Sequence, residues 1–216
     1  MRTRRPPCRA IIFDFDGVIV ESEHIKSRAF AALYAEYGRD VADAVVAHHE
    51  QNGGVSRRKK IRYCHRTLLG REVGDEELEA LCRRFSSLVE GEVVDCLWVP
   101  GARGVIESQA TLRLLFVVSG TPHEELGRIV MRRGLASFFT EVWGSPPEKA
   151  VTVEGILSRH RLDRDRRSVL FVGDAVADWR AARETGVRFV GRVADGKASP
   201  FPAGTAVIRD LRQLVV

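Results

Sequence analysis

Asp14 and Asp16 stand two residues apart at the end of the apolar run Ala10–Phe15, and Gly17 follows at once. Alternate residues of an extended strand share a face, so both carboxylates reach into the same space. Like charges held together repel unless a cation or a shared proton relieves them. The pair therefore reads as a centre for metal and carboxylate chemistry, although a strand running into an acidic turn would give the same pattern. Leu115–Val118 leads into Ser119-Gly120-Thr121. This tip offers a hydroxyl and backbone N–H groups fit to hold phosphate oxygens, or an N-cap with Pro122 in the first turn. Lys149 comes at the start of a predicted helix, after Gly144-Ser145-Pro146-Pro147-Glu148. The helix dipole opposes a cation there, so either an anion sits in front of it or the lysine is simply solvated. Val169–Val172 ends in Gly173-Asp174, and Asp178 lies four residues further on, facing back along a first helical turn. Such hard oxygen donors suit Mg²⁺, while Asp178 alone would also pass for an ordinary first-turn acid.

The elements that must position these groups fall into two compositions. One is a set of short apolar runs, predicted as strands at Ala10–Phe15, Leu114–Val118, Val142-Trp143, Val169–Val172, Val187–Val190 and Val207-Ile208. Helical patterns at Glu124–Arg133, Glu148–Arg159 and Val176–Glu184 alternate with them, and a terminal helix is expected after the last strand. That alternation implies βαβ units and a parallel sheet, whose carboxyl edge is where ligands bind. The other composition is helical throughout: Ser22–Tyr37, Val41–Glu50, Arg57–Leu69 and Asp75–Glu90 repeat apolar residues at three- and four-residue spacing. Asp75 is expected as an N-cap, with Leu78, Leu81, Cys82, Phe85 and Leu88 as the buried stripe behind it. Four helices between the first two strands form an insertion, and Val99-Pro100-Gly101 reads as the hinge returning from it. The expected class is thus α/β: a parallel sheet with helices on both faces, Rossmann-like, plus an inserted all-α cap. Residues 10–20 and 98–216 form the core, 21–97 the cap and 1–9 a disordered leader.

The 216 residues, 44% hydrophobic and 29% charged, are ordinary for a chain that buries a real core. No apolar stretch approaches the roughly 18 residues of a membrane span. The basic start, Met1 to Pro7, lacks the apolar segment of a secretory signal; it reads as a leader more readily than as a nucleic-acid contact. Cys8, Cys64, Cys82 and Cys96 show no paired spacing, which fits reduced thiols in a cytoplasm. A net charge of +5 suits small anionic substrates without demanding them.

Taken in order, these tips resemble the haloacid dehalogenase (HAD) superfamily of phosphotransferases. Asp14-Phe15-Asp16-Gly17-Val18 is similar to its first motif, Ser119 to the second, Lys149 to the third, and Gly173-Asp174 with Asp178 to the fourth. Gly173–Arg192 is similar to the subgroup holding phosphoglycolate phosphatase and β-phosphoglucomutase. The resemblance implies an Asp14 nucleophile that forms an aspartyl-phosphate and an Asp16 general acid and base. Ser119 would hold a phosphoryl oxygen beside Gly17, Gly120 and Thr121. Lys149 would neutralise charge on Asp14 and the phosphate. Mg²⁺ would bind Asp14, the backbone carbonyl of Asp16 and Asp174, with Asp178 supporting.

By the same likeness the helical insertion is a mobile cap that excludes water and selects substrate. Its Gly53-Gly54-Val55-Ser56-Arg57 loop would present Arg57 to a second anionic group, unless the glycines merely join two helices. Arg58, Lys59 and Lys60 read as a solvated helix face. One departure from the mutase pattern is visible in Glu21-Ser22-Glu23-His24-Ile25-Lys26, where Lys26 stands at the position of an expected histidine. It disfavours a mutase, and Asp16 disfavours a dehalogenase. The expected activity is hydrolysis of a small phosphate monoester, sugar phosphate or phosphoglycolate-like. A sugar-phosphate mutase, a phosphonate-cleaving relative and a non-catalytic metabolite sensor are the alternatives. The expected partner is a small phosphorylated metabolite, with neither nucleic acid nor membrane, and the expected state is a monomer, with a homodimer as alternative.

Overall fold

A computed structural model describes residues 7–216; the basic start Met1–Pro6 of the expected leader lies outside the described residues. Six parallel strands make one sheet in the order β3-β2-β1-β4-β5-β6. They are β1 (Ala10–Phe13), β2 (Leu114–Pro122), β3 (Glu141–Ser145), β4 (Val169–Gly173), β5 (Arg188–Arg192) and β6 (Val207–Ile208). Pairing of β1 with both β2 and β4 sets Phe13 beside Val117 and Val172. The tips of the first, second and fourth motifs therefore meet at the middle of the sheet, where its strand order reverses and ligands collect in folds of this kind.

Alternation along the central strands divides the core. Ile11, Phe13, Leu115, Val117, Leu170 and Val172 belong to one buried cluster, and Ala10, Ile12, Phe116, Val118, Val169 and Phe171 to the other. That is the period-2 pattern of a strand covered on both sides. Helices α7 (Lys149–Arg159) and α8 (Val176–Thr185) supply Val153, Ile156, Leu157, Ala181 and Ala182 to the second cluster. Helix α6 (His123–Arg132) supplies Leu126, Ile129 and Val130 to the first.

Between β1 and β2 the chain forms α1 (Glu23–Tyr34), α2 (Arg39–Gln51), α3 (Arg57–Leu68), α4 (Asp75–Asp95) and α5 (Ala102–Ala110). The first four are the expected insertion; α5 was not anticipated. It buries Ala102 and Ile106 in the core cluster and, just after the return hinge, packs against β2. The two chain crossings are stitched together: Glu21 N–H donates to Leu97 O at 2.9 Å and Val99 N–H to Ile19 O at 3.0 Å, around an antiparallel bridge between Val20 and Trp98.

Several local expectations are corrected. Asp75 is the first helical residue of α4 and Gly74 the cap position. The longer helix buries Leu78, Phe85, Val89 and Val93, while Leu88 is exposed, because a 21-residue helix changes neighbours along its length. Thr121 lies within β2, which runs on to Pro122, and Pro122 caps α6 without a side-chain bond; pairing of Pro122 with Ser145 keeps the segment extended. The last helix is a single short turn at Leu211–Gln213. No described helix is long and apolar enough to cross a membrane.

Candidate active site

Asp14 leaves β1 with its N–H on Val172 O at 2.9 Å. Its side chain turns into the sheet edge, where one oxygen accepts from Phe15 N–H at 2.7 Å and the other lies 2.9 Å from Lys149 Nζ. Lys149, in the first turn of α7, also donates to Asp178 Oδ1 at 2.5 Å. The other Asp178 oxygen accepts from Ala175 N–H at 3.0 Å, closing the first turn of α8. The lysine's awkward place at a helix N-terminus is thus accounted for by two carboxylates. Asp174 completes the set: one oxygen each from Asp14, Asp174 and Asp178 lie within 4.8 Å of one another. Gly17 is at φ +71°, and any Cβ there would overlap Asp174 Oδ2, so only glycine lets the loop after β1 approach this carboxylate.

The electrostatics ask for a cation. Burial, joined by the charges of Asp178 and Asp16 and opposed by Lys149, pushes Asp14 up to about 7. Burial and its acidic neighbours raise Asp174 as well. Burial favours the neutral amine of Lys149, yet the Asp14 and Asp178 carboxylates hold it above its usual range. One lysine among three crowded acids leaves negative charge uncompensated, and hard carboxylate oxygens are the donors Mg²⁺ takes. Asp14 and Asp174 fit such an ion. Asp178, with one oxygen on Lys149 and the other on a backbone N–H, is placed to support it.

Asp16 sits apart from this cluster. One oxygen accepts from Ser22 Oγ at 2.6 Å; the other accepts from Thr121 Oγ1 at 2.8 Å and forms an ion pair with Lys26 Nζ. Lys26 also donates to Thr121 Oγ1 at 2.8 Å. Burial would raise this acid, but Lys26 and the hydroxyls bring it down to about 2. Ser119 Oγ accepts from Thr121 N–H at 3.1 Å and lies 3.4 Å from Asp16.

Asp14, Asp16, Asp174, Lys26, Ser119 and Thr121 line one cavity of about 640 Å³, roofed by the insertion. The Gly53-Gly54 loop presses on the core. A Cβ at Gly120 would meet Gly54 O at 2.6 Å, and one at Gly54 would come within 3.4 Å of Lys149 Nζ. Arg57 lines the cavity too, but its guanidinium is engaged. It reaches Glu125 of α6 at 2.6 Å and Ser86 of α4 at 2.7 Å, and stacks over Phe85 at 4.5 Å. Arg58 and Lys59 pair with Glu79 and Glu148 on the surface, as a solvated face would. Lys60 does not: it is buried against His49 and lines the cavity.

Sequence reasoning missed Lys26 as an Asp16 partner, the pair Lys60 and His49, and Arg192. From β5, Arg192 donates to Gly17 O at 3.1 Å and pairs with Glu21, fixing the loop that carries Asp16. A signal existed for the lysines: Lys26 is in register with Phe30 and Leu33, and Lys60 with Cys64, on the buried stripes of α1 and α3.

The sequence profile of the haloacid dehalogenase-like hydrolases matches residues 11–192, and the chain belongs to that family. Searching the curated proteins gave no match. Among solved structures, a predicted phosphoglycolate phosphatase from Haemophilus somnus superposes with a TM-score of 0.70 at 21% identity, covering 94% of each chain. A protein assigned as a β-phosphoglucomutase from Thermotoga maritima gives 0.65 at 22% identity, over 93% of this chain and 94% of that one. A protein from Bacillus subtilis assigned as a HAD hydrolase, solved bound to magnesium, gives 0.71 at 18% identity over 96% of each. At these identities the likeness speaks for the fold.

Proposed function

We propose that this chain is a Mg²⁺-dependent phosphatase that hydrolyses a small phosphate monoester through an aspartyl-phosphate on Asp14. The observation that carries the reading is the convergence of Asp14, Asp16 and Asp174 on one roofed cavity, with Lys149 behind the first acid. Asp14 attacks phosphorus and the bond to the leaving oxygen breaks, with Asp16 donating a proton to that oxygen. Asp16 then takes a proton from water as the water oxygen attacks the aspartyl-phosphate; phosphate leaves and Asp14 is regenerated. Ser119 and the N–H groups beside Gly120 hold phosphoryl oxygens. Lys149 opposes the effect of burial and favours the ionised form of Asp14. When bound by Asp14, the backbone carbonyl of Asp16 and Asp174, Mg²⁺ supplies the charge that lets a carboxylate approach a phosphate dianion.

Asp16 as it stands, ionised by Lys26, is ready for the base half of this cycle. The acid half requires Lys26 to release it, which an arriving phosphoryl group, a competing anion, would promote. A sugar-phosphate mutase, the assignment of the Thermotoga protein that shares this fold, is the second reading. A phosphate-release assay on p-nitrophenyl phosphate and a panel of metabolite phosphates, with Mg²⁺ and with EDTA, tests the main one. Release that requires Mg²⁺ and is lost in Asp14→Asn is expected. Release surviving in that variant would remove Asp14 as nucleophile, and a bisphosphate requirement with an isomerised product would identify the mutase.

A further inference from the structure

We infer that Lys60, and not Arg57, is the cap's anion anchor, and that the substrate is a phosphate monoester bearing a second anionic group, carboxylate or phosphate. This rests on the phosphatase reading above. Charge accounting around the cavity leads to Lys60. Arg57 is committed to Glu125 and Lys197 to Glu23, while Lys26 pairs with Asp16 and, once released, is taken by the transferring phosphoryl group and not by the tail. Away from the Asp14–Asp174 cluster the wall acids have partners as well: Glu21 pairs with Arg192, Glu23 with Lys197, and Glu50 accepts from Ser27 Oγ. Lys60 is 4% exposed, and among the described residues no carboxylate lies within ion-pair distance of it. Its Nζ donates to His49 Nδ1 at 2.8 Å and to His49 O at 3.2 Å. An ammonium has three N–H donors, so one is left for a ligand.

His49 extends the anchor. An ammonium only donates, so Nδ1 of His49 accepts and its Nε2 carries the hydrogen. Burial and the neighbouring Lys60 push His49 down to about 3, so it stays neutral. Phe30 packs at a tilt against His49 and Phe85, with ring centroids 4.7 and 4.5 Å apart, giving the subsite apolar walls. A buried ammonium with only neutral partners is costly to keep. Burial, with Lys26 nearby, pushes Lys60 down to about 7, and an incoming anion offsets that penalty. A phosphate ester with a neutral tail offers Lys60 nothing; one with a second anion supplies the missing partner.

Isothermal titration with three non-hydrolysable probes in Mg²⁺ tests this: methylphosphonate, phosphonoacetate with a carboxylate tail, and methylenebisphosphonate with a phosphonate tail. Wild type should bind at least one of the latter two about 10-fold or more tightly than methylphosphonate, the worth of a hydrogen bond to a charged group. The tail that gains more names the second anion. Lys60→Met should erase the preference and Lys60→Arg should restore part of it, with circular dichroism confirming the fold; Lys60→Gln serves if the methionine variant does not fold. No preference in wild type, or a preference that persists without the lysine, overturns the anchor. Turnover of p-nitrophenyl phosphate by wild type reports on the phosphatase reading separately. A binding preference without turnover would remove the phosphatase and keep the anchor; turnover without preference would do the reverse.

Discussion

The Arg57 guanidinium on α3 lies 2.6 Å from the Glu125 carboxylate on α6, with side-chain exposures of 5% and 3%. The pair joins the insertion to the core in a place water scarcely reaches, with Ser86 Oγ donating to the second carboxylate oxygen at 2.6 Å. Removing one partner of a buried pair strands the other charge and costs about 3–5 kcal/mol, whereas replacing both with apolar groups costs far less. Glu125→Gln and Arg57→Met should therefore each lower the urea midpoint markedly, and the Arg57→Met/Glu125→Leu double variant should regain most of it. Single variants within about 1 kcal/mol of wild type would show the pair to be solvated.

A second expectation concerns metal without reference to turnover. An ion that binds only the folded chain stabilises it by about 2.7 kcal/mol at a hundred times its Kd. Titrating Mg²⁺ should raise the Tm of wild type, and Asp174→Asn should abolish the rise. An equal rise in that variant would place the ion elsewhere.

Gly120→Ala puts a methyl group 2.6 Å from Gly54 O. The obstacle is backbone, so the cap loop must lift off the Ser119-Gly120-Thr121 tip. Misplacement of about 1 Å near a reacting centre costs roughly 10²-fold in rate, and a fall of that order in kcat/KM with little change in Tm is expected. Unaltered kinetics would mean that loop contact is not needed for turnover.

Lys60 gives a pH signature. Its value falls from 10.5 unfolded to about 7 folded, chiefly through burial. Between those values the unfolded chain binds more protons, so stability rises as pH goes from 7 to 10.5, at roughly 1.4 kcal/mol per unit of pKa difference. Cys64, raised by burial from 9.0 to about 11, works the other way above pH 9. Subtracting the Lys60→Met profile isolates the lysine: wild type should gain on the variant from pH 7 upward. A constant difference over that range would show that folding leaves the Lys60 pKa where it is in the unfolded chain.

How much of this was legible in the sequence depends on how far apart the partners lie. Strand alternation and an apolar run ending in polar residues place Asp14, Ser119 and Asp174 at one sheet edge with no tertiary knowledge, and the sheet itself follows from the same runs. Lys149 was readable as an anomaly of the helix dipole. The cap's chemistry was not, because it depends on which helices touch. Arg57 finds Glu125 at a separation of 68 residues, and that contact decides which cap cation is committed to protein. Lys60 looked like a surface charge because a lysine on an apolar stripe is commonly read by its type and not by its position, and Lys26 registered only as a departure from the mutase pattern. Helix α5 was overlooked because Val99-Pro100-Gly101 punctuates the chain so strongly that the nine residues of Ala102–Ala110 vanish into the hinge.

The stitched crossings at Val20 and Trp98 have a mechanical meaning. Two independent strings would let the insertion slide, twist or drift in any direction. Strings tied by backbone hydrogen bonds form a ribbon, stiff within its own width and soft only across its thickness. Any opening of the cap is then a bend about one line, and each return brings Gly54 back to the same spot over Gly120. The reproducibility of the roof would be set by a few peptide groups at its edge, remote from the acids it covers.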